Sequence, residues 1–327
     1  MNLSRRKFLH IATGAAAAVP LSRAAWAQTY PTRSVRVIVP YAPGGQTDAI
    51  GRIFAQQLSE RLGQQFYVEN VPGAGGNIGV ARAAKAAPDG YTVLVTDGLS
   101  LAVNPTLYGN LPYDPFKDLQ PVALAVITTQ VLTVNPSLPV HTVKELVRLI
   151  KSNAGKYSYA SPGIGTPGHL AGELFRDSAG LDLVHVPFHG AGPAIISTVA
   201  GHTLIAFGSP ASTVSQVAAG KPRALAVTSK ARLPALPDVP TMAEAGFPEV
   251  ECDVWVGPLV PAKTPPEIVS LLNREINAIG ALPTMKQRLS ALGFQPFLST
   301  PEESATRLKT DSAKWAKIVR VAGIKVN

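Results

Sequence analysis

The chain of 327 residues contains a single cysteine, Cys252. No disulfide framework can form within the chain, and no multi-cysteine metal site. Cys252 sits in Val250-Glu251-Cys252-Asp253-Val254-Trp255, an alternating, strand-like run that places it beside two acids. Negative neighbours raise a thiol pKa and disfavour the reactive thiolate, so the residue reads as structural. The groupings that do hydrolytic or metal chemistry are also missing. There is no Gly-x-Ser-x-Gly elbow and no His-Glu-x-x-His. His185 and His189 are four apart, but Pro187 keeps them off a shared helix face. In a strand they would point to one side, with no carboxylate or third histidine to complete a zinc set. These gaps favour binding without chemistry.

Basic stripes are missing too. The formal net charge is +9, but the first 27 residues hold four basic residues and no acid, so the remainder carries +5. Its lysines and arginines are scattered singly, which removes the main support for a nucleic-acid partner. A mildly positive surface suits small anionic ligands, or ordinary solubility. Nor is there an apolar run of the ~20 residues that a membrane-spanning helix needs.

The amino-terminal segment does have a different use. Arg5-Arg6-Lys7-Phe8-Leu9 precedes the small, apolar run Ile11 to Leu21, and Ala25-Trp26-Ala27 offers a cleavage site. Residues 1–27 therefore read as an export signal of the twin-arginine type, with periplasmic delivery as its consequence.

Residues 35–54 carry the most information. Val35, Val37, Ile38 and Val39 form a β-branched run that stops at Pro40. The pair Gly44-Gly45 permits a tight turn, and Thr47 and Asp48 suit the N-cap of the amphipathic run that follows. Ile50, Ile53, Phe54, Leu58 and Leu62 fall on one helical face. Strand, glycine turn and helix start together gather unpaired backbone N–H groups at the positive end of a helix dipole, an arrangement that binds anions.

Further on, short apolar strands alternate with amphipathic helices: strand 66–68, helix 77–87, strand 92–96, then a second series with helix 143–151, strand 157–160, helix 170–178, strand 183–186, helix 194–200 and strands 203–207 and 224–227. The tail is helix-rich (267–279, 282–292, 302–321). This order predicts an α/β fold of two doubly wound, parallel-sheet domains. The long runs Val122–Val134 and Val250–Leu259 are expected to cross between them. Domain I would then comprise residues 28–125 and 255–327, and domain II residues 126–254, with a ligand cleft between.

Three further loops resemble the first: Gly73 to Gly79, Ser161 to His169, and Phe188 to Pro193. Loops after the strands of an α/β sheet share one edge, where ligands bind. One of them, Gly163-x-Gly165-x-x-Gly168 with Asp182 14 residues beyond, also fits a dinucleotide fingerprint. An exported NAD(P)-dependent oxidoreductase is thus the rival reading. Against it, the motif opens the second series, Pro167 removes an N–H where phosphate would seek one, and no acid–base pair stands nearby.

Several segments resemble the substrate-binding proteins of tripartite tricarboxylate transporters, the Bug family. They are Val39-Pro40-Tyr41-x-Pro43-Gly44-Gly45-x-x-Asp48, Glu69-Asn70-x-Pro72-Gly73-Ala74-Gly75-Gly76-x-x-Gly79, Pro88-Asp89-Gly90-Tyr91-Thr92, Gly168-His169-Leu170-Ala171, Val186-Pro187-Phe188-x-Gly190, and Leu236-Pro237-Asp238-Val239-Pro240-Thr241 with Glu244-Ala245-Gly246-Phe247-Pro248. The resemblance implies a type II periplasmic binding protein, a Venus-flytrap that closes on a small carboxylate and presents it to a membrane permease, without a cofactor or a reaction. A monomer is expected. A sensory protein of the same fold is a further alternative.

Carried over by position, one wall of the site would be Tyr41, Pro43, Gly44, Gly45, Gln46, Thr47 and Asp48. The other would be Ser161, Gly163, Thr166 and His169, with Gly190 and Gly208 beside it. Asp48 is expected to cap the helix, and so fix the amides that bind, and to pair with Arg52 rather than touch a carboxylate. Tyr41 would cover the ligand or donate its hydroxyl, Thr166 and Ser161 would donate hydroxyls, and His169 would cap a helix or contact water. The chain departs from the family at His189, Phe188 and Gly208, where Lys, Tyr and Asp are common. Loss of the last acid removes a partner for a ligand ammonium, so a preference for amino acids is not expected.

Overall fold

The computed structural model describes residues 30–321 and 323–324. The expected export signal lies outside the described residues. Arg33–Asn327 forms one compact unit; the other, Met1–Thr32, falls almost wholly outside the described part.

Two sheets organise the unit. The first begins with β1 (Val35–Val39), β2 (Phe66–Asn70) and β3 (Thr92–Asp97), all parallel with β1 in the middle. Helix α1 (Gln46–Leu62) joins β1 to β2, and a 3-10 turn (Ala74–Gly76) with α2 (Asn77–Ala84) joins β2 to β3. Helix α3 (Gly98–Leu107) follows directly, then β4 (Leu119–Pro121) and β5 (Val126–Thr128). The second sheet holds β6 (Val131–Val134), β7 (Tyr157–Ser161), β8 (Leu183–Pro187), β9 (Ile205–Gly208) and β10 (Arg223–Val227) in the order β10-β6-β9-β7-β8. Its helices are α4 (Val143–Lys151), α5 (Pro167–Ala179), α6 (Ala191–Val199) and α7 (Pro210–Ala218). The chain then returns to the first sheet as β11 (Val254–Pro261), and ends with α8 (Pro266–Ala281), α9 (Pro283–Ala291), β12 (Gln295–Pro296) and α10 (Pro301–Val321).

The sheets are mixed rather than purely parallel. β11 pairs antiparallel with β3, β4 and β5, and β6 pairs antiparallel with β9 and β10. The run Val122–Val134 is not one strand: it divides at Thr129-Gln130, with β5 in the first sheet and β6 in the second. The expected strand at Val250 starts only at Val254, because the Cys252 N–H bonds the Thr228 carbonyl and not a sheet neighbour.

Each sheet packs its own core. Ile38, Leu94, Trp255 and Leu259 form one cluster, and Leu132, Phe175, Phe207 and Leu170 another. Helix α3 serves both: Leu101 and Ala102 enter the first cluster, Leu99 and Val103 the second. A helix that is apolar on all sides can only be a buried one, and Gly98 through Asn104 are all buried. α10 divides in the same way, with Leu308 in the first cluster and Trp315 and Val319 in the second. Trp255 packs on Gly98, where a Cβ would overlap the indole, and its Nε1–H donates to Asp311 Oδ2 at 3.0 Å. α3 and α7 were not expected from the sequence: small residues and proline (Pro105; Pro210) obscure their periodicity.

Candidate functional site

The carboxyl ends of the parallel strands open onto a cleft whose walls are helix starts. α1 begins two to three residues earlier than an N-cap at Thr47 or Asp48 would place it. Gly45, in extended conformation, is its N-cap, and it makes no side-chain capping bond. Asp48 instead stands in the first turn, and its Oδ2 reaches back to accept the Gly44 N–H at 3.0 Å. The same carboxylate accepts from Arg52 (3.0 Å) and from Asn70 Nδ2 (2.9 Å). These three donors outweigh the burial that opposes ionisation and hold the carboxyl below its ordinary range.

One cavity, about 420 Å³ counting the space open to solvent, is lined by Gly45, Asp97, Thr166, Gly190 and Ser209. These are the N-cap residues of α1, α3, α5, α6 and α7. Five helix N-termini, from both sheets, thus meet around one space. Of the five, only α3 is capped by a side chain: Asp97 accepts the Ser100 N–H at 2.7 Å. The other four N-cap residues make no side-chain capping bond. No lysine or arginine among the described residues lines the cavity. Its positive character comes from oriented amides and helix dipoles.

The remaining lining groups are small or neutral. Gln46 and Thr47 come from α1, and Gln130 from the segment between β5 and β6. The Gln130 amide lies 3.5 Å from Gln46 Oε1. Tyr41 gives its ring to the cavity while its hydroxyl donates to Asp97 Oδ2 at 2.5 Å. Burial first, and the Asp97 charge second, push the phenol above its ordinary range; burial also raises Asp97.

The walls touch beyond this space. A Cβ on Gly190 would lie 2.9 Å from Ala42 Cβ, and one on Gly165 2.6 Å from Asn104 Oδ1. A Cβ on Gly75 would lie closer still to the Ile164 carbonyl. A second cavity of about 830 Å³, open space included, adjoins the first and shares Tyr41, Ala42, Pro162, Thr166 and Gly190 with it. The glycine loop Gly73–Gly76, Tyr108, Phe188 and His189 complete that outer chamber.

Of the residues expected at the site, Tyr41, Gly45, Gln46, Thr47, Thr166 and Gly190 line the inner chamber, and Gly163 the outer one. Pro43 and Gly44 are exposed and line neither. Asp48 and Gly208 are buried behind the wall. Ser161 is also buried; its Oγ pairs with His185 Nε2 at 2.7 Å. Thr166 Oγ1 is turned onto the Gly163 carbonyl at 2.6 Å. His169 Nδ1 accepts the Gly165 N–H at 3.2 Å and stacks on His185 behind the loop. Burial depresses His169 to about 3 and His185 to about 4, so both rings are neutral. His189 lies past the end of β8 and does not share a strand face with His185. Cys252 is buried, and burial raises its thiol pKa.

Asp97, Gln130 and Ser209 were missed. Asp97 follows Thr96 where β3 ends, and the acid-then-glycine step into α3 is the signal that identifies it.

A family profile described as "Tripartite tricarboxylate transporter family receptor" matches residues 50–324. Protein BugT of Bordetella pertussis (strain Tohama I) is 35% identical over 319 residues, which cover 97% of this chain and 96% of that protein. Among solved structures, R. palustris Rpa4515 with adipate has a TM-score of 0.88 at 34% identity, covering 90% of this chain and 99% of that one. MatC from Rhodopseudomonas palustris with bound malate has a TM-score of 0.84 at 31% identity, covering 89% and 100%.

Proposed function

The chain belongs to the tripartite tricarboxylate transporter receptor family, and from that premise we propose that it captures a small carboxylate-containing solute in the periplasm and delivers it to a tripartite tricarboxylate-type permease. The family is one of solute-binding receptors and not of enzymes. The observation that carries the reading is the meeting of four uncapped helix N-termini around one cavity without a cationic side chain. Such a site holds an anion by fixed donors and releases it unchanged. Adipate and malate, the ligands of two relatives, are both carboxylates.

The two sheets with their helices would act as two lobes, residues 28–125 with 255–327 and residues 126–254, joined by the segments that pass between sheets. The site would be formed by the inner-chamber residues of both. No described helix is long and apolar enough to cross a membrane.

A thermal-shift screen of the purified protein tests this. Adipate, malate and related carboxylates should raise the melting temperature, because ligands that bind only the folded state stabilise it by mass action. NAD and NADP should not. Stabilisation by the dinucleotides alone would replace the reading with that of an oxidoreductase.

A further inference from the structure

Two segments connect the sheets, and one hydroxyl ties them together. The first passes from β5 to β6 through Thr129 and Gln130. The second leaves β10 at Thr228 and re-enters at Cys252, two residues before β11. Thr228 Oγ1 donates to the Cys252 carbonyl at 3.1 Å. Its single proton is then used, so it accepts from Thr129 Oγ1 at 2.8 Å and from the Gln130 N–H at 3.0 Å. The backbone adds two bonds, Thr228 N–H to the Gln130 carbonyl (2.9 Å) and Cys252 N–H to the Thr228 carbonyl (3.0 Å). All of these residues are at least 99% buried. Beside the knot lies a cavity lined by Thr128, Thr129, Ser229 and Asp253, which leaves the strands room to turn.

Gln130 is the only member of this knot that also lines the ligand chamber, and its amide spans from the Thr129 carbonyl (2.8 Å) to Gln46 at the start of α1. We propose that Thr228 is the positioning residue of the hinge: its hydroxyl fixes the register of the crossing segments, so that the Gln130 side chain reports ligand occupancy to the pivot. This rests on the reading of the protein as two lobes that close on a solute. Thr228 touches no ligand; it acts through Gln130 and the strands.

The test measures lobe separation directly. Lys151 and Lys286 are exposed, one on α4 and one on α9, and the native Cys252 is buried. Spin labels on Lys151→Cys and Lys286→Cys give the interlobe distance distribution in the otherwise intact protein, without ligand and with adipate or malate. Thr228→Val keeps the volume and removes the hydroxyl; it should broaden the ligand-free distribution about twofold, as expected when a pivot loses its fixed register. Thr228→Ser should restore the parent width, and Thr129→Val should broaden it to a smaller degree. A loss of stability alone would leave the width of the folded population unchanged, which separates hinge from scaffold. If the parent moves on ligand addition but both Val variants match it, the hinge assignment is overturned and the two-lobe reading stands. If the parent shows one distance under every condition, both are overturned.

Discussion

The Tyr41 hydroxyl and the Asp97 carboxylate meet at 2.5 Å, while the other oxygen of Asp97 holds the Ser100 N–H. One buried acid therefore caps α3 and locks the ring that lines the inner chamber. Burial is the largest influence on Asp97 and raises its pKa. A carboxyl whose folded pKa exceeds its unfolded value of about 3.9 stabilises the fold below that value, and the contribution is lost as pH rises through the folded pKa. Urea unfolding should show that decline in the parent and not in Asp97→Asn, which keeps an acceptor for Ser100. Asp97→Ala, which loses the cap, should cost about 1–2 kcal/mol at pH 7. An Asp97→Asn variant with the parent's pH profile would remove the buried charge from the account.

The same pairing bears on ligand choice. Asp97 is the one acid among the inner-chamber residues, and both of its oxygens already have donors. Position 208 is glycine, so no second acid stands ready for an ammonium group. Calorimetry should find adipate or malate bound more tightly than aspartate or glutamate. The opposite order would mean that Asp97 releases Tyr41 to the ligand.

Asp48 lines neither chamber yet holds one wall of the site, through Gly44, Arg52 and Asn70. Asp48→Ala should weaken carboxylate binding about tenfold, the equivalent of roughly 1.4 kcal/mol, by loosening the amides of Gln46 and Thr47. Because its pKa is depressed, the parent carries an extra stability that is present above about pH 3.9 and is lost as pH falls through the folded value. Acid unfolding of the variant should lack that component.

The fold was largely legible because its strands are β-branched and its helices periodic. Gly44-Gly45 and the Gly73, Gly163 and Gly190 loops announce their turns in composition alone. Asp97 and Ser209 did not stand out, because each is an ordinary polar residue whose significance is its place at a strand end. Gln130 was hidden inside a β-rich run that reads as continuous. Its importance arises from the sheet change there, a long-range property that no local period encodes. Conversely, Ser161 and His169 sit in a convincing glycine loop, but both side chains turn inward to hydrogen bonds with their own scaffold.

That inward pair makes the second wall sensitive to acid. His169 and His185 stack with centroids 4.2 Å apart, and their pKa values are lowered to about 3 and about 4 chiefly by burial. Below the unfolded value of about 6.5 the unfolded chain takes up protons that the folded chain refuses. Stability should therefore be complete above pH 6.5 and fall from there towards pH 4, by at most about 1.4 kcal/mol per pH unit for each ring. Urea titrations should show a shallower fall for His185→Gln. A fall unchanged by that substitution would assign the acid sensitivity elsewhere.

Gly190 offers the most direct test of closure. Its φ of +129° lies in the region that favours glycine, and an added methyl would press on Ala42 Cβ of the opposite wall at 2.9 Å. Two effects would follow from Gly190→Ala, backbone strain in the loop and obstruction of the wall contact, and they separate experimentally. Strain lowers the stability of the ligand-free protein, whereas obstruction lowers affinity. Pairing Gly190→Ala with Ala42→Gly removes the methyl that Gly190→Ala would meet. The double variant should regain most of the affinity that the single variant loses and none of its stability. If Ala42→Gly restores no binding, the contact between the walls is not what limits closure on the ligand.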